Sequence, residues 1–319
     1  MIYIDTKSND TYYNFGCEYY FSTEKQLPDD VFMMWKTTPT LMIGKYQNTL
    51  EEIDAAYARE KGINIVRRLS GGGTIYTDDG GWQFTFITRS LGMEIEFERF
   101  VRPVTDALCS LGVNASLTGR NDITVDGKKI SGNAQFKLGG TTVHHGSLLF
   151  DTNIEELVRA TTPKDYKITS KAIKSVRERV TNIREHLPVD MTADEFRDYV
   201  VSRVKTDVYE ITPEDDERIR ELADRYFRDE EIIYSKSPKF EVEKTVHTDG
   251  GTFVIGLTVR HGIIENAGIS GDFFSGGGDP SPAIIGVKYT PEAVREALAG
   301  FDGTIYRVSV DELVRVIFE

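Results

Sequence analysis

Residues 123–134 read Ile123-Thr124-Val125-Asp126-Gly127-Lys128-Lys129-Ile130-Ser131-Gly132-Asn133-Ala134, an Asp-Gly pair between two strand-like flanks. The two central positions of a type I′ turn need positive φ, which Asp and Gly tolerate, so this stretch predicts a tight β-hairpin. Gly139-Gly140 repeats the device one strand later, and the chain to about Phe150 then reads as an antiparallel meander. Upstream, Val31 to Trp35 and Leu41 to Ile43 are short apolar runs, and Trp82, Phe84 and Phe86 alternate with Gln83 and Thr85 at strand period. One helix interrupts them: Thr49 and Glu52 have capping-box spacing and Gly62 stands at an αL stop, which predicts a helix over 49–61. Val101, Val104, Leu108 and Leu111 predict another over 97–111, with Pro103 kinking it or marking its start.

Beyond Phe150 helices take over. Thr192 with Glu195 is a capping box, and Thr212-Pro213 opens a helix running to about Phe227. Strand alternation resets at Phe240, with turns at Asp249-Gly250-Gly251 and His261-Gly262, then helices opening at Thr290-Pro291 and at Ser309 with Glu312. The expected division is a first domain over 1–228, a linker over 229–240 and a small second domain over 241–319.

The chain has 319 residues, of which 38 are basic and 51 acidic, a formal charge of −13, with 39% hydrophobic and 28% charged residues. That is the profile of a soluble globular protein of about two domains, and its acidity disfavours nucleic acid as a partner. No stretch free of Asp, Glu, Lys and Arg exceeds 13 residues, so no membrane span is expected. Cys17 and Cys109 are too few for a disulfide framework, which points to a reducing cytoplasm.

Four constellations carry possible chemistry. Arg67-Arg68-Leu69-Ser70-Gly71-Gly72-Gly73-Thr74 sets two guanidiniums before three glycines, which suits an anion held by an arginine fork and a nest of backbone N–H groups. A bare Ser-Gly-Gly-Gly is as readily a flexible turn; the arginine pair favours binding. Its spacing fits neither G-x-G-x-x-G nor a Walker loop. Gly119-Arg120-Asn121-Asp122 leads into the first hairpin, where Lys128 and Lys129 point to opposite faces, so at most one enters a common site. Two surface lysines guarding a strand are the plainer reading. Asp122 suits a magnesium ion or a simple turn. His144 and His145 face opposite ways and cannot share one metal, which favours core packing over zinc. Finally, Ser170 to Asn182 carries four basic residues and one acid, a local reversal of the chain's charge that fits either a solvated helix face or a polyphosphate-binding loop.

In order, Ile43-Gly44-Lys45-Tyr46-Gln47-Asn48, Arg67 to Gly73, Gly119 to Asp122, Gly127 to Ala134, His144-His145-Gly146 and Ser175 to Asn182 resemble the motifs of the lipoate-protein ligase A family. Ser270-Gly271-Asp272-Phe273-Phe274 and Ile285-Gly286-Val287-Lys288-Tyr289 resemble its bacterial accessory domain, so the likeness covers essentially the whole chain. The resemblance implies an α+β fold: an antiparallel-sheet catalytic domain like those of biotin ligases and class II synthetases, with a small C-terminal α/β domain that moves between half-reactions. It implies ATP and Mg2+ as cofactors, lipoate or octanoate as the acid, and lipoyl-domain acceptors such as acyltransferase subunits of 2-oxoacid dehydrogenases or glycine cleavage H protein. Lys129 is then the catalytic residue for both half-reactions. Arg68, Gly73, Thr74, Ile75, Tyr76, Asn121, Asp122 and Lys129 would hold the nucleotide, with Asp122 on the metal. Ser70, Gly71, Gly72, Lys129 and His145 would face the acid, His145 at its acyl end. Lys171, Lys174, Ser175, Val176, Arg177 and Arg179 would form the adenylate-binding loop.

Two departures stand out. The family usually follows its glycine loop with His-Asp-x-x-Asn, where this chain has Thr77-Asp78-Asp79-Gly80-Gly81, a change expected to alter hydrogen bonding at the acyl pocket. Asn14-Phe15-Gly16-Cys17-Glu18 stands where the family commonly has Asn-Leu-Ala-x-Glu. The competing readings are an ATP-independent octanoyl or lipoyl transferase using Cys17 or Cys109, and a non-catalytic lipoate-binding protein.

Overall fold

A computed structural model describes residues 1–89, 95–161, 176–233 and 242–318. In chain order the strands are β1 (Ile2–Ile4), β2 (Val31–Trp35), β3 (Thr40–Ile43), β4 (Asn64–Arg67), β5 (Ile75–Thr77), β6 (Gly81–Arg89), β7 (Ser116–Thr118), β8 (Asp122–Val125), β9 (Lys128–Leu138), β10 (Thr141–Leu149), β11 (Asp207–Tyr209), β12 (Val242–Thr248), β13 (Gly251–Arg260) and β14 (Ile263–Phe273). The main sheet runs β11-β1-β2-β6-β10-β9-β8-β7. β1 lies parallel to β2 and β11, and the other pairings are antiparallel.

The hairpins form where the turn residues place them. Asp126 and Gly127 take φ of 50° and 75°, Gly139 and Gly140 take 56° and 81°, and the meander β8-β9-β10 follows. Alternation along β6 then sorts the core. Trp82, Phe84 and Phe86 pack on one face with Phe100, Val104 and Leu108 of the helix Phe97–Ser110 and Phe196 and Val200 of the helix Ala193–Val204. The other face, with Met33, Trp35 and Val143, meets Phe15, Cys17 and Phe21 of the helix Thr11–Thr23, backed by Ile219 and Leu222 of the helix Pro213–Tyr226. Gly16 permits that backing: a Cβ there would stand 2.8 Å from the Ile219 carbonyl oxygen.

One helix prediction needs correction and a second is narrowed. The expected helix over 49–61 is two, Thr49–Glu52 and Ala55–Lys61. Asp54 caps the second through its carboxylate and the Tyr57 N–H, while the Thr49 hydroxyl, expected as a cap, donates to the Ile233 carbonyl. The helix over 97–110 runs through Pro103, which neither starts nor ends it. The capping box at Thr192 forms, and Thr212, expected as the cap before Pro213, closes one with Asp215 as well.

β3, β4 and β5 make a small separate sheet beside the main one. β12, β13 and β14 form an antiparallel sheet covered by the helices Ser281–Ile284, Pro291–Leu298 and Val310–Phe318, with Phe253, Ile255, Leu257, Val294, Leu298, Leu313 and Ile317 between them. Tyr46, from the first half of the chain, stacks on Phe273 with ring centroids 4.5 Å apart and so belongs to this second core. Of the expected linker 229–240, residues 230–233 form a short helix against the first half, and 234–240 lie outside the described residues. No helix among the described residues is long and apolar enough to cross a membrane.

Asp215 fastens three elements of the outer layer. Its buried carboxylate accepts from the hydroxyls of Tyr20 and Tyr209, the Lys25 ammonium and the Thr212 N–H, at 2.6–3.0 Å. Burial alone raises this carboxyl, but the bonds from Tyr209, Lys25 and Tyr20 outweigh it and hold the group well below the usual carboxylate range. Asp215→Asn is expected to cost about 2 kcal/mol at neutral pH. Stability from a carboxyl lowered on folding is complete above its unfolded value and disappears as pH falls toward the folded one. Urea melts at several pH values should therefore show the gap to wild type narrowing below about pH 4.

Candidate functional site

The glycine loop is built by its own arginines. Arg67, buried, donates from Nε to Ile232 O, from Nη1 to Gly44 O and Gln47 O, and from Nη2 to Ile233 O and the Thr49 hydroxyl. Arg68 donates from Nε to Ser70 Oγ, from Nη1 to Met42 O, and from Nη2 to Gly71 O and Gly73 O at 2.6–3.0 Å. Burial pushes Arg68 down to about 10, so it stays charged at neutral pH. The fork expected to grip an anion is thus a clamp on the loop backbone, and Arg68 offers the site charge rather than open donors.

The nest of free N–H groups is corrected as well. The Gly72 N–H donates to the Phe273 carbonyl at 2.9 Å, and a Cβ on Gly71 would lie 1.9 Å from that same oxygen. The glycines let the end of β14 lie directly on the loop. Gln47 completes the frame, its side-chain oxygen accepting from the Gly44 N–H and the Thr74 hydroxyl.

Two cavities meet beside this loop. The first, about 350 Å³, is lined by Phe15, Trp35, Met42 and Ala134 at its apolar walls and by Arg68, Arg120, Asn121, Asp122, Lys129 and Asp272 at its polar ones. The second, about 610 Å³, lies between Ile75, Tyr76 and Leu149 on one side and Val176, Arg179 and Val180 on another. Thr74, Ile75, Asp122, Lys129, Gly132 and Ser147 line both. The Lys129 ammonium lies 2.7 Å from Asp122 Oδ1, and both side chains are about one-third exposed, 37% and 36%. A register shift between Ile123 and Thr124 accompanies this pairing of β8 with β9, and the Thr181 N–H donates to the Lys129 carbonyl.

At the apolar end a polar chain crosses the buried layer. His145 approaches Ser70 Oγ through Nε2 at 2.7 Å and the Glu18 carboxylate through Nδ1 at 3.1 Å. Glu18 also accepts from the Thr85 hydroxyl, to which the Trp35 indole N–H donates. His144 points the other way, stacked on Phe100 at 5.0 Å between centroids, and burial drives its pKa well below the usual histidine value. It is a core residue.

The structure therefore brings Gly72, Gly73, Thr74, Ile75, Tyr76, Asn121, Asp122, Lys129 and His145 to one or both cavities. Ser70 and Gly71 line neither: Ser70 supports His145 from behind, and Gly71 belongs to the seam with β14. Val176 and Arg179 reach the second cavity, whereas Arg177 pairs with Glu155 at the surface. Lys171, Lys174 and Ser175 lie outside the described residues. Thr77 and Gly81 line neither cavity, which corrects the expected change at the acyl pocket. The Thr77 hydroxyl pairs with that of Thr37 at 2.6 Å, and a Cβ on Gly81 would crowd Thr152 Oγ1 at 2.9 Å. Neither cysteine lines either cavity. Cys17 is wholly enclosed, with burial raising its thiol far above the reactive range, and Cys109 sits on the outer helix Phe97–Ser110.

Phe15, Trp35, Glu18, Arg120, Asp272 and Phe274 stand in segments noted in the sequence, but no pattern there gave them a role at the site. Glu18 and His145 are 127 positions apart and Arg120 and Asp272 152, so only the fold brings them together.

Comparison with known proteins follows the same outline. Residues 10–205 match the family model described as the lipoyl protein ligase A/B catalytic domain, and residues 237–317 match the bacterial lipoate protein ligase C-terminus. The chain is 40% identical over 312 residues to lipoate-protein ligase LplJ of Bacillus subtilis (strain 168), covering 94% of each. The structure of P. falciparum LipL1 in complex with lipoate has a TM-score of 0.81 at 20% identity, over 100% of this chain and 99% of that one. Lipoate-protein ligase A bound with ATP has a TM-score of 0.57 at 24% identity, over 74% and 95%. At these identities the two structures speak for the fold.

Gly71→Ala is expected to destabilise the protein by about 2 kcal/mol or more, since backbone faces its new Cβ. Gly73→Ala, whose Cβ would meet only the tip of the Asp272 side chain at 3.4 Å, should cost less than about 1 kcal/mol. Thermal denaturation of the two variants checks the seam.

Proposed function

The chain belongs to the lipoyl protein ligase A/B family, and on that premise we propose that it activates lipoate with ATP at Lys129 and then hands the acyl group to a lysine of a lipoyl-domain protein. Its activity is ATP-dependent lipoate–protein ligation. The observation that carries the site assignment is the position of Lys129, on the border of a cavity with apolar walls and a second one beneath residues 176–180.

In the first half-reaction a carboxylate oxygen of lipoate attacks the α-phosphorus of ATP; the bond to pyrophosphate breaks and the acyl-adenylate remains. Two like charges about 4 Å apart repel by roughly 4 kcal/mol at an effective dielectric near 20, so a fixed cation at the meeting point lowers the barrier. Lys129 supplies it. In the second, the acceptor amine attacks the acyl carbon, AMP leaves with the bonding electron pair, and the amine proton is lost to solvent or phosphate. The same ammonium stabilises the oxyanion that forms on the way. Both tasks need a point charge and no nucleophile.

Phe15, Trp35 and Met42 would take the aliphatic end of the acid, lipoate or octanoate, with His145 above it. The second cavity would take the nucleoside, between Ile75, Tyr76 and Arg179. Asp122 fits a magnesium ion of the kind shared with substrate phosphates: it is one partly exposed carboxylate, and among the described residues no group of three or more His, Cys, Asp or Glu could hold a metal alone. When bound, the ion supplies charge neutralisation on the phosphates. Acyltransferase subunits of 2-oxoacid dehydrogenases and glycine cleavage H protein are the acceptor class we assign, and the cytoplasm the compartment, in keeping with two unbonded cysteines.

Purified protein with magnesium should catalyse ATP–pyrophosphate exchange only when lipoate is present. Lys129→Ala should lower that exchange by about 10²- to 10³-fold. Exchange independent of lipoate, or unchanged in the variant, contradicts this assignment.

A further inference from the structure

Arg120 has no role in the reaction as described so far, yet it lines the first cavity together with Lys129. Standing just before β8, it reaches across to the C-terminal sheet. Its Nη1 donates to Gly250 O at 2.7 Å and Asp272 O at 3.2 Å, and its Nη2 to Asp272 Oδ1 at 2.9 Å. Its guanidinium lies 4.9 Å from the centre of the Phe274 ring, while the Tyr306 hydroxyl donates to its carbonyl.

Two of the three cations facing this cavity are held by carboxylates. Of its three cations, Arg68 is spent on carbonyls and a hydroxyl, Lys129 holds Asp122, and Arg120 holds Asp272. Asp272 also lies against the loop, where its carboxylate would sit 3.4 Å from a Cβ on Gly73, beside Thr74. A polyanion drawn to Lys129 within the first cavity therefore meets a second carboxylate, Asp272, in its lining. A guanidinium donates to phosphate and carboxylate oxygens alike, so a phosphate and the Asp272 carboxylate compete for Nη2 of Arg120, whose Nη1 stays on backbone carbonyls.

We propose that Arg120 is a phosphate-binding residue for the nucleotide that Asp272 holds in reserve: a triphosphate oxygen takes over the Nη2 donor as the Asp272 carboxylate leaves it. The exchange keeps the cation paired and in place while the site waits for substrate, and it makes Asp272 a brake on nucleotide affinity. This assignment rests on the adenylation reading and adds to it a residue pair that spans the two halves of the chain.

The test is calorimetric titration of magnesium–ATP into the full-length chain and three variants. Asp272→Asn should tighten ATP binding by up to about fivefold, the scale of a partly exposed ion pair. Arg120→Ala should weaken it by about tenfold, the scale of a charged hydrogen bond. In the double variant the gain from Asp272→Asn should vanish, because the partner it frees is gone. Arg120→Lys, which keeps the charge but loses the fork, stands in if the alanine variant fails to fold. Unchanged or weaker ATP binding in Asp272→Asn overturns the proposal. So does a gain that persists without Arg120, which would mark Asp272 as a general negative charge. No ATP binding by the unaltered chain overturns the adenylation reading, and this proposal with it.

Discussion

The ammonium of Lys129 and the carboxylate of Asp122 face each other where β8 and β9 slip register, and both cavities open onto that pair. A register shift re-aims the side chains on either side of it, and here it sets a lysine and an aspartate toward the same space. Several features hold the lysine on its line. The Asp126-Gly127 turn closes the hairpin, Gly132 leaves room where a Cβ would crowd the lysine Nζ at 3.1 Å, and Val180 and Thr181 pin the backbone from the other side. A cation so fixed offsets the repulsion between an acid and a triphosphate brought together there.

The rest of the site can be understood as scaffolding for that point. A chain with a net charge of −13 buries two adjacent arginines, and burial of a charge is tolerable only when its donors are met. Backbone carbonyls of residues 42–47, of Gly71 and Gly73 and of residues 232–233 meet most of them. The loop is braced from within for that reason, and its Gly72 N–H donates to the end of β14. The chain from Trp35 through Thr85, Glu18 and His145 to Ser70 ties the same loop to the main sheet and the helix Thr11–Thr23.

Local chemistry was legible in the sequence wherever it was decided locally. The turn at Asp126-Gly127 needs positive φ at both residues, and the helix starts at Thr192 and Thr212-Pro213 need only the three residues that follow. Lys129, Asp122 and His145 were recognisable from motif resemblance, and the fold then brought them together. What failed was any inference that took a local pattern for its destination. Thr49 has the spacing of a cap but bonds to Ile233, and the arginine pair has the look of an anion grip but clamps its own loop. Thr77 and Gly81 depart from the family pattern in sequence but lie away from both cavities, with Thr37 and Thr152 as neighbours. The outcomes at Thr49, Thr77 and Gly81 depend on partners tens to hundreds of residues away, which spacing does not encode, whereas the Arg68 clamp is local and turns on side-chain direction.

The central claim is that one fixed ammonium serves both chemical steps. Single-turnover transfer from preformed lipoyl-adenylate to a lipoyl-domain acceptor isolates the second step from ATP binding and from the first. The account predicts that Lys129→Ala slows this transfer by about 10²-fold or more relative to wild type. Transfer at the wild-type rate from the preformed adenylate would confine Lys129 to activation and contradict the account.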